Sequence, residues 1–529
     1  MYFNNFTPLC FHTISIAMAS TNGVTQRKPS DKENGNSRKS TSNTDSKDQS
    51  KTHPTVYIVF ISLLLDLLAF TMILPLLPSL LEYYRLNDKA GLYHSLSHSV
   101  KFFQELVGAP DKYNSVLFGG FLGSMFSFLQ FIVSPIVGGL SDCYGRKPVM
   151  LVCLNSMFSH STFATFRARF GHFRRTKIKI GHYAHQALGI AASYGIWALS
   201  SNFAIFVLAR FVGGLSKGNI SLSMAVITDV SNEKNRGKGM ALVGIAFSLG
   251  FIIGPMIGAI FSKYSDKTME AWFWLPAIFA MTLATADLLF VAGCLKETLL
   301  KEKRAKHVVN SLSRAMEHVS VHSLFKFEAV KNLPKDKLQS LQSLGLIYFV
   351  YLFIYSGLEF TVTFLMYHKF GFTSIDQAKM FLTTGIVMAL LQGSVVRRLP
   401  NRRTQNSAVF GLYLIVPAFI LVGLASDGKL LYAGMILFAI LDSTDEYFIL
   451  ATAFVVTCMT TLVSEYGRSD QKGTVLGIYR SLGALARALG PIAASIAFWS
   501  VGSTITYILG GLLLLWPALM LQRLKLVQL

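Results

Sequence analysis

Long apolar runs, broken at intervals by short polar or glycine-rich stretches, fill this chain from residue 56 to residue 521. Roughly 20 apolar residues carry an α-helix across the hydrocarbon core of a bilayer. Applied along the sequence, that window predicts spans at 56–81, 115–138, 149–200, 203–227, 240–262 and 272–295. A second set follows at 342–366, 376–396, 407–425, 430–463, 473–500 and 504–521. The third and tenth spans are interrupted by charged segments, 158–186 and 442–451, which no single crossing accommodates.

The pattern repeats. Arg236-Gly237 opens span 5, with Gly254-Pro255 eighteen residues on; Lys472-Gly473 opens span 11, with Gly490-Pro491 eighteen residues on. The offset is 236 in both cases, so six spans plus six read as parallel copies, an arrangement that places a binding cavity between the halves. The expected fold is an all-α membrane protein: twelve transmembrane helices in two six-helix bundles around a central cavity. A disordered, Ser/Thr/Asn/Lys-rich cytoplasmic tail covers 1–54, the bundles 55–295 and 342–522, a basic cytoplasmic linker 296–341, and a short tail 523–529. A helical-looking stretch near 308–318 is expected to lie along the membrane surface.

Composition agrees. The 529 residues are 52% hydrophobic and 15% charged, with mean hydropathy +0.45, whereas a soluble protein carries about 25% charged residues. The net charge of +21 does not point to nucleic acid, because Lys and Arg sit in loops. Seven lie in the N-tail and ten in the linker, with few in the loops after spans 1, 5, 7 and 9. This bias places both termini in the cytoplasm, without choosing between the plasma membrane and an internal one. Five cysteines, an odd number, argue against a disulfide framework. His160, His172, His182 and His185 are spaced unlike any standard zinc pattern, so no metal is expected. No cofactor, phosphate loop or nucleophile–base pairing is evident, which excludes an enzyme and ATP as the energy source.

Two stretches carry candidate chemistry. The first is Gly138-Gly139-Leu140-Ser141-Asp142-Cys143-Tyr144-Gly145-Arg146-Lys147-Pro148, between spans 2 and 3. Gly138 and Gly145 allow close passage and tight turning. Asp142 is expected to accept from the first amides of span 3, where the helix dipole favours an anion. Arg146 and Lys147 are expected to pair with a carboxylate at a helix end, with Asp229 the candidate; anchoring of topology is the plainer alternative. The second stretch places Gly250, Gly254 and Gly258 on one face of span 5, with Pro255 bending the helix; ordinary helix packing is its alternative.

Charges inside spans are the remaining candidates, because each costs about 2.5–3.5 kcal/mol at mid-bilayer on insertion scales. Asp66 in span 1 and Glu359 in span 7 lie at comparable depth. Arg210 and Lys217 in span 4, and Arg480 and Arg487 in span 11, are seven apart, so each pair shares a helix face. The excess of basic charge favours an anionic substrate, since guanidinium groups bind carboxylates bidentately. Asp66 or Glu359 is a candidate proton carrier. Internal salt-bridging is the alternative for all of these, Lys217 can pair rather than bind, and Asp287 in span 6 reads as structural. Asn219 and Tyr355, with Tyr351 and Phe360, are candidates to line a pocket, although aromatics at helical spacing more often pack.

The set Gly138, Asp142, Gly145, Arg146 and Lys147 resembles the signature loop of the major facilitator superfamily. Gly250, Gly254, Pro255 and Gly258 are similar to the antiporter signature of its drug:proton exchangers, and Leu208-Ala209-Arg210 with Gly214 resembles a third motif. Leu65-Asp66-Leu67-Leu68-Ala69-Phe70, Ser356-Gly357-Leu358-Glu359 and Arg480-Ser481-Leu482-Gly483-Ala484-Leu485-Ala486-Arg487 resemble a tetracycline-transporter-like subfamily. The resemblance covers nearly everything from 55 to 522, except the two insertions. It implies alternating access, spans 1, 4, 7 and 11 bordering the cavity, and proton-coupled efflux of organic anions or drug-like amphipathic molecules. An uncoupled facilitator, or a receptor or scaffold on the same fold, stays open.

Overall fold

The computed structural model describes residues 53–88, 91–154, 189–231, 233–265, 273–304, 308, 320–330, 333–394, 404–439, 455–456, 458–460, 462–463 and 472–524. Every regular element among them is helical. Nearly all of the expected N-tail, the insertion 158–186 with its four histidines, most of the expected linker helix and the insertion 442–451 lie outside the described residues.

The helices of the first half are α1 (Pro54–Thr71), α2 (Leu77–Asn87), α3 (Leu92–Val107), α4 (Asn114–Tyr144), α5 (Arg146–Leu154), α6 (Ile190–Ala198), α7 (Phe203–Ser216), α8 (Asn219–Val230), α9 (Glu233–Ser265) and α10 (Trp274–Cys294). After a short linker helix, α11 (Val321–Lys326), come α12 (Lys335–Phe370), α13 (Ser374–Ser394), α14 (Thr404–Leu424), α15 (Gly428–Ala439), α16 (Lys472–Val501), α17 (Ser503–Leu513) and α18 (Leu515–Arg523). Among the described residues, eight stretches are long and apolar enough to cross a membrane: Pro54–Asn87, Asp111–Tyr144, Phe203–Val230, Leu242–Lys263, Trp274–Cys294, Lys335–Phe370, Thr474–Val501 and Ser503–Arg523. Ala408–Leu424 is shorter but equally apolar.

Local chemistry sets the boundaries. Pro54 opens α1 with the His53 side chain accepting from the Thr55 amide, and Leu74–Leu76 forms a 3-10 turn that contains Pro75, with Pro78 in the first turn of α2. Asn202 caps α7 by accepting from the Ile205 amide at 3.0 Å. Gly371 closes α12 in the left-handed conformation. That helix begins seven residues before the apolar run expected at 342, because Pro334 starts it and polar residues extend it into the linker.

Span 4 departs from expectation. Instead of one continuous helix it is two, interrupted at Lys217 (φ −81°, ψ 45°) and Gly218. The interruption turns Lys217 inward, and a side chain at Gly218 would strike Val137 of α4.

A continuous apolar core runs from Val56 to Leu521. Helix α4 packs along α16, α12 along α16, α9 against both α1 and α13, and α10 against α1 and α6. Small residues permit the closest approaches. A side chain at Gly120 would meet Ser495 and the Pro491 carbonyl, and one at Gly123 or Gly119 would meet Phe360 or Phe364 of α12.

Candidate functional site

The break in span 4 brings together two of the expected residues. Lys217 Nζ lies 2.6 Å from both carboxylate oxygens of Asp66, with the two side chains 3% and 1% exposed. Phe70, one turn along α1, presents its ring to the ammonium at 5.0 Å and stacks on Phe126 of α4 at 5.2 Å. An ion pair this deeply buried holds only because each charge is fully matched.

Arg210, on α7, is also buried. Its guanidinium lies over the rings of Trp197 (5.4 Å) and Phe206 (5.5 Å), and its Nε has no hydrogen-bond partner. Asn219, at the start of α8, is fully buried with neither side-chain group bonded. Asp287 on α10 is fully buried too; neither carboxylate oxygen has a hydrogen-bond partner by geometry, and the polar group beside it is the Ser62 hydroxyl. The first half therefore encloses Asp66, Lys217, Arg210 and Asp287 within its packed helices, rather than presenting them to solvent.

The second half differs. Glu359, Arg480 and Arg487 are solvent-exposed although they lie midway along α12 and α16, flanked by buried residues such as Leu358 (2%), Tyr479 (1%) and Ala486 (0%). Tyr355 Oη donates to Glu359 Oε1 at 3.4 Å, and Arg487 acts on Glu359 electrostatically. Both arginines act on Tyr348, whose ring stacks on Tyr479 at 3.9 Å. Three charges thus sit on accessible faces of helices whose other faces are packed. Of the aromatic candidates, Tyr351 is fully buried against Tyr355, and Phe360 covers Gly123, so both pack.

The gating loop is built around a guanidinium. Arg146 Nη1 donates to Asp142 Oδ1 at 2.6 Å and Ser141 Oγ at 2.5 Å, and its Nε donates to Asp229 Oδ2 at 3.0 Å. Asp142 does not cap α5, as the helix-dipole argument expected. Glu297, just past α10, does so instead, accepting from the Arg146 amide at 2.9 Å and the Lys147 amide at 3.2 Å, because the tight turn at Gly145 (φ 104°) exposes those amides to the end of α10. Glu297 also accepts from the Thr298 and Leu299 amides and pairs with Arg304 at 3.7 Å. Lys147 Nζ donates to the Ala292 carbonyl at 2.8 Å. Sequence reading missed Glu297; its position at the end of an apolar run, beside a basic linker, was the available signal. Gly138 departs from expectation as well: among the described residues a side chain there would meet nothing within 4 Å in this conformation.

Gly250, Gly254 and Gly258 line the face of α9 that meets α1. A side chain at these positions would strike Leu67, the Thr71 hydroxyl and the Met72 carbonyl, respectively. Thr71 Oγ1 donates to the Gly250 carbonyl at 2.7 Å. Pro255 lies inside the helix, buried.

At the end of the molecule opposite Gly145, polar contacts tie the halves together. Trp499 Nε1 donates to Asn114 Oδ1 at 2.8 Å, Ser124 Oγ accepts from the Ile492 amide at 2.9 Å, and Ser115 Oγ lies 2.9 Å from His368 Nε2. Tyr113 packs edge-on against Phe498 at 5.3 Å.

Residues 183–491 match the Major Facilitator Superfamily. Major facilitator superfamily domain-containing protein 10 of Homo sapiens is 41% identical over 477 residues, covering 89% of this chain and 93% of that protein. The class B tetracycline resistance protein of Escherichia coli is 22% identical over 83% of this chain and 88% of its own. The crystal structure of the human organic anion transporter MFSD10 (TETRAN) superposes with a TM-score of 0.66 at 40% identity, covering 88% of this chain and 98% of that one.

Proposed function

Because this chain belongs to the major facilitator superfamily, we propose that it is a secondary active transporter that works by alternating access and exchanges protons for organic anions or drug-like amphipathic molecules. It is a multi-pass integral membrane protein, and its relatives are transporters rather than enzymes. The observation that carries the substrate class is the charge imbalance on the exposed mid-helix faces of α12 and α16: Arg480 and Arg487 against Glu359. A 40% identical structure is that of a human organic anion transporter, which supports the same class.

In this reading twelve spans form two six-helix bundles around a central cavity, with both termini and the Gly145 turn on the cytoplasmic side. The contacts Asn114–Trp499, Ser115–His368 and Ser124–Ile492 then close the outer face, so the conformation is inward-open. Arg480 and Arg487 hold the substrate anion from the second half. Glu359 carries a proton beside them, and the Asp66–Lys217 pair opens and recloses as the halves rock.

The test is flux of a labelled organic anion through proteoliposomes holding the full-length chain, with and without a pH gradient. Gradient-accelerated flux is expected. Arg480→Gln or Arg487→Gln should raise the KM roughly tenfold, the scale of one charged hydrogen bond. Glu359→Gln and Asp66→Asn should each abolish the gradient dependence. Anion flux that ignores the gradient in the unaltered protein rejects proton exchange and leaves a facilitator; no flux at all rejects transport.

A further inference from the structure

Among the described residues, the first half holds two buried carboxyl groups at one level, but a single ammonium within hydrogen-bond distance of either. Lys217 gives both of its contacts to Asp66. Asp287 receives none: it is 0% exposed, and neither oxygen has a donor. Asp287 lies thirteen residues into α10 and seven from its end at Cys294, so about 10 Å inside the helix at 1.5 Å per residue. A carboxylate this deep, without a cation or donor on either oxygen, is strongly disfavoured.

We propose that Asp287 is a proton-binding site of the first half, its carboxyl holding a proton while Asp66 is paired with Lys217. The proposal deepens the proton-exchange reading above and rests on it for its second part. The two acids compete for one cation, so their protonation is coupled. When the pair is closed, Asp66 is ionised and Asp287 is a neutral acid. When movement of α1 and α8 draws Lys217 away from Asp66, Asp287 can release its proton to water and accept the ammonium in its place. Asp66, left without its cation, takes up a proton as Asp287 gives one up, so the net charge of the buried group stays constant: one proton enters at Asp66 and one leaves from Asp287.

The groups facing Asp287 support this. Asp66 and Lys217 both act on it electrostatically, and Ser62 on α1 stands beside it. Helix α6 brings Tyr194, which is near Asp66 and Arg210, and α5 brings Cys153 and, at the helix end, Lys147, already committed to the Ala292 carbonyl. Helix α9 contributes Lys263 near its far end. Arg210 is stacked on Trp197 and Phe206 rather than turned to Asp287.

Infrared spectroscopy of the full-length protein in lipid tests the proton directly. At neutral pH the spectrum should contain the carbonyl stretch of a protonated carboxyl, which Asp287→Asn removes, Asp287→Glu shifts and Glu359→Gln leaves in place. The glutamate variant keeps the test intact if the asparagine variant does not fold. An unchanged band in either Asp287 variant overturns the proposal. In proteoliposomes, Asp287→Asn should bring gradient-driven flux down to the no-gradient level; gradient stimulation that survives overturns the exchange role. If the unaltered protein shows no gradient dependence, the transport reading fails, while the infrared band still decides whether Asp287 binds a proton.

Discussion

Trp499 donates its indole N–H to the Asn114 side chain at 2.8 Å, with both residues buried, and so ties α16 to the start of α4. This bond spans residues 385 apart in the chain and sits where the two halves close. Trp499→Phe keeps the ring and removes the donor. One lost hydrogen bond is worth about 1 kcal/mol, roughly a fivefold change in the balance of two conformers. Spin labels at Lys112 and Ser500 should then report a longer second distance absent from the unaltered protein; an unchanged distribution would show that the bond does not hold the face closed.

Removing one member of the Asp66–Lys217 pair leaves its partner charged and buried. Lys217→Ala should lower stability by about 3–5 kcal/mol, the cost of breaking a buried pair. The combined change Asp66→Leu with Lys217→Met should lose much less, because no orphan charge remains. Thermal unfolding in detergent measures both, and additive losses would contradict the account.

Glu297 accepts four backbone amides and pairs with Arg304. It is partly exposed, so Glu297→Gln should cost about 1–2 kcal/mol, toward the low end for charged hydrogen bonds. Asp142→Asn, at a side chain 48% exposed, should cost less. Denaturation midpoints of the two variants, measured side by side, give the ordering; a larger loss for Asp142→Asn would return the capping role to it.

Two glycines of the same loop should respond oppositely. Gly145→Ala forces a side chain into a φ of 104° and against the Glu297 carboxylate, a backbone cost of about 1–3 kcal/mol. Gly138→Leu fills open space in this conformation, so it should leave the melting temperature unchanged. If a helix crosses that face in the alternate state, Gly138→Leu slows transport severalfold. Normal flux in Gly138→Leu would mean that no such close crossing occurs.

The helical class, eight of the twelve expected apolar spans and the family were legible in the sequence, because hydrophobic length and glycine–charge spacing are local properties that survive any packing. The pairing of Arg146 with Asp229 could be read for the same reason, whereas the capping role expected of Asp142 fell to Glu297, which is distant in the chain. The break at Lys217 could not be read, since Ser216-Lys217-Gly218 lies in an apolar run and only the Asp66 carboxylate, 151 residues away, makes the interruption favourable. Nor could the sequence separate buried charges from accessible ones. Arg210 and Arg480 stand at similar depths in equivalent patterns, yet one is enclosed by Trp197 and Phe206 and the other reaches solvent. Composition fixes how many charges enter the membrane; only the packing of one helix on another decides which of them meet each other and which meet water.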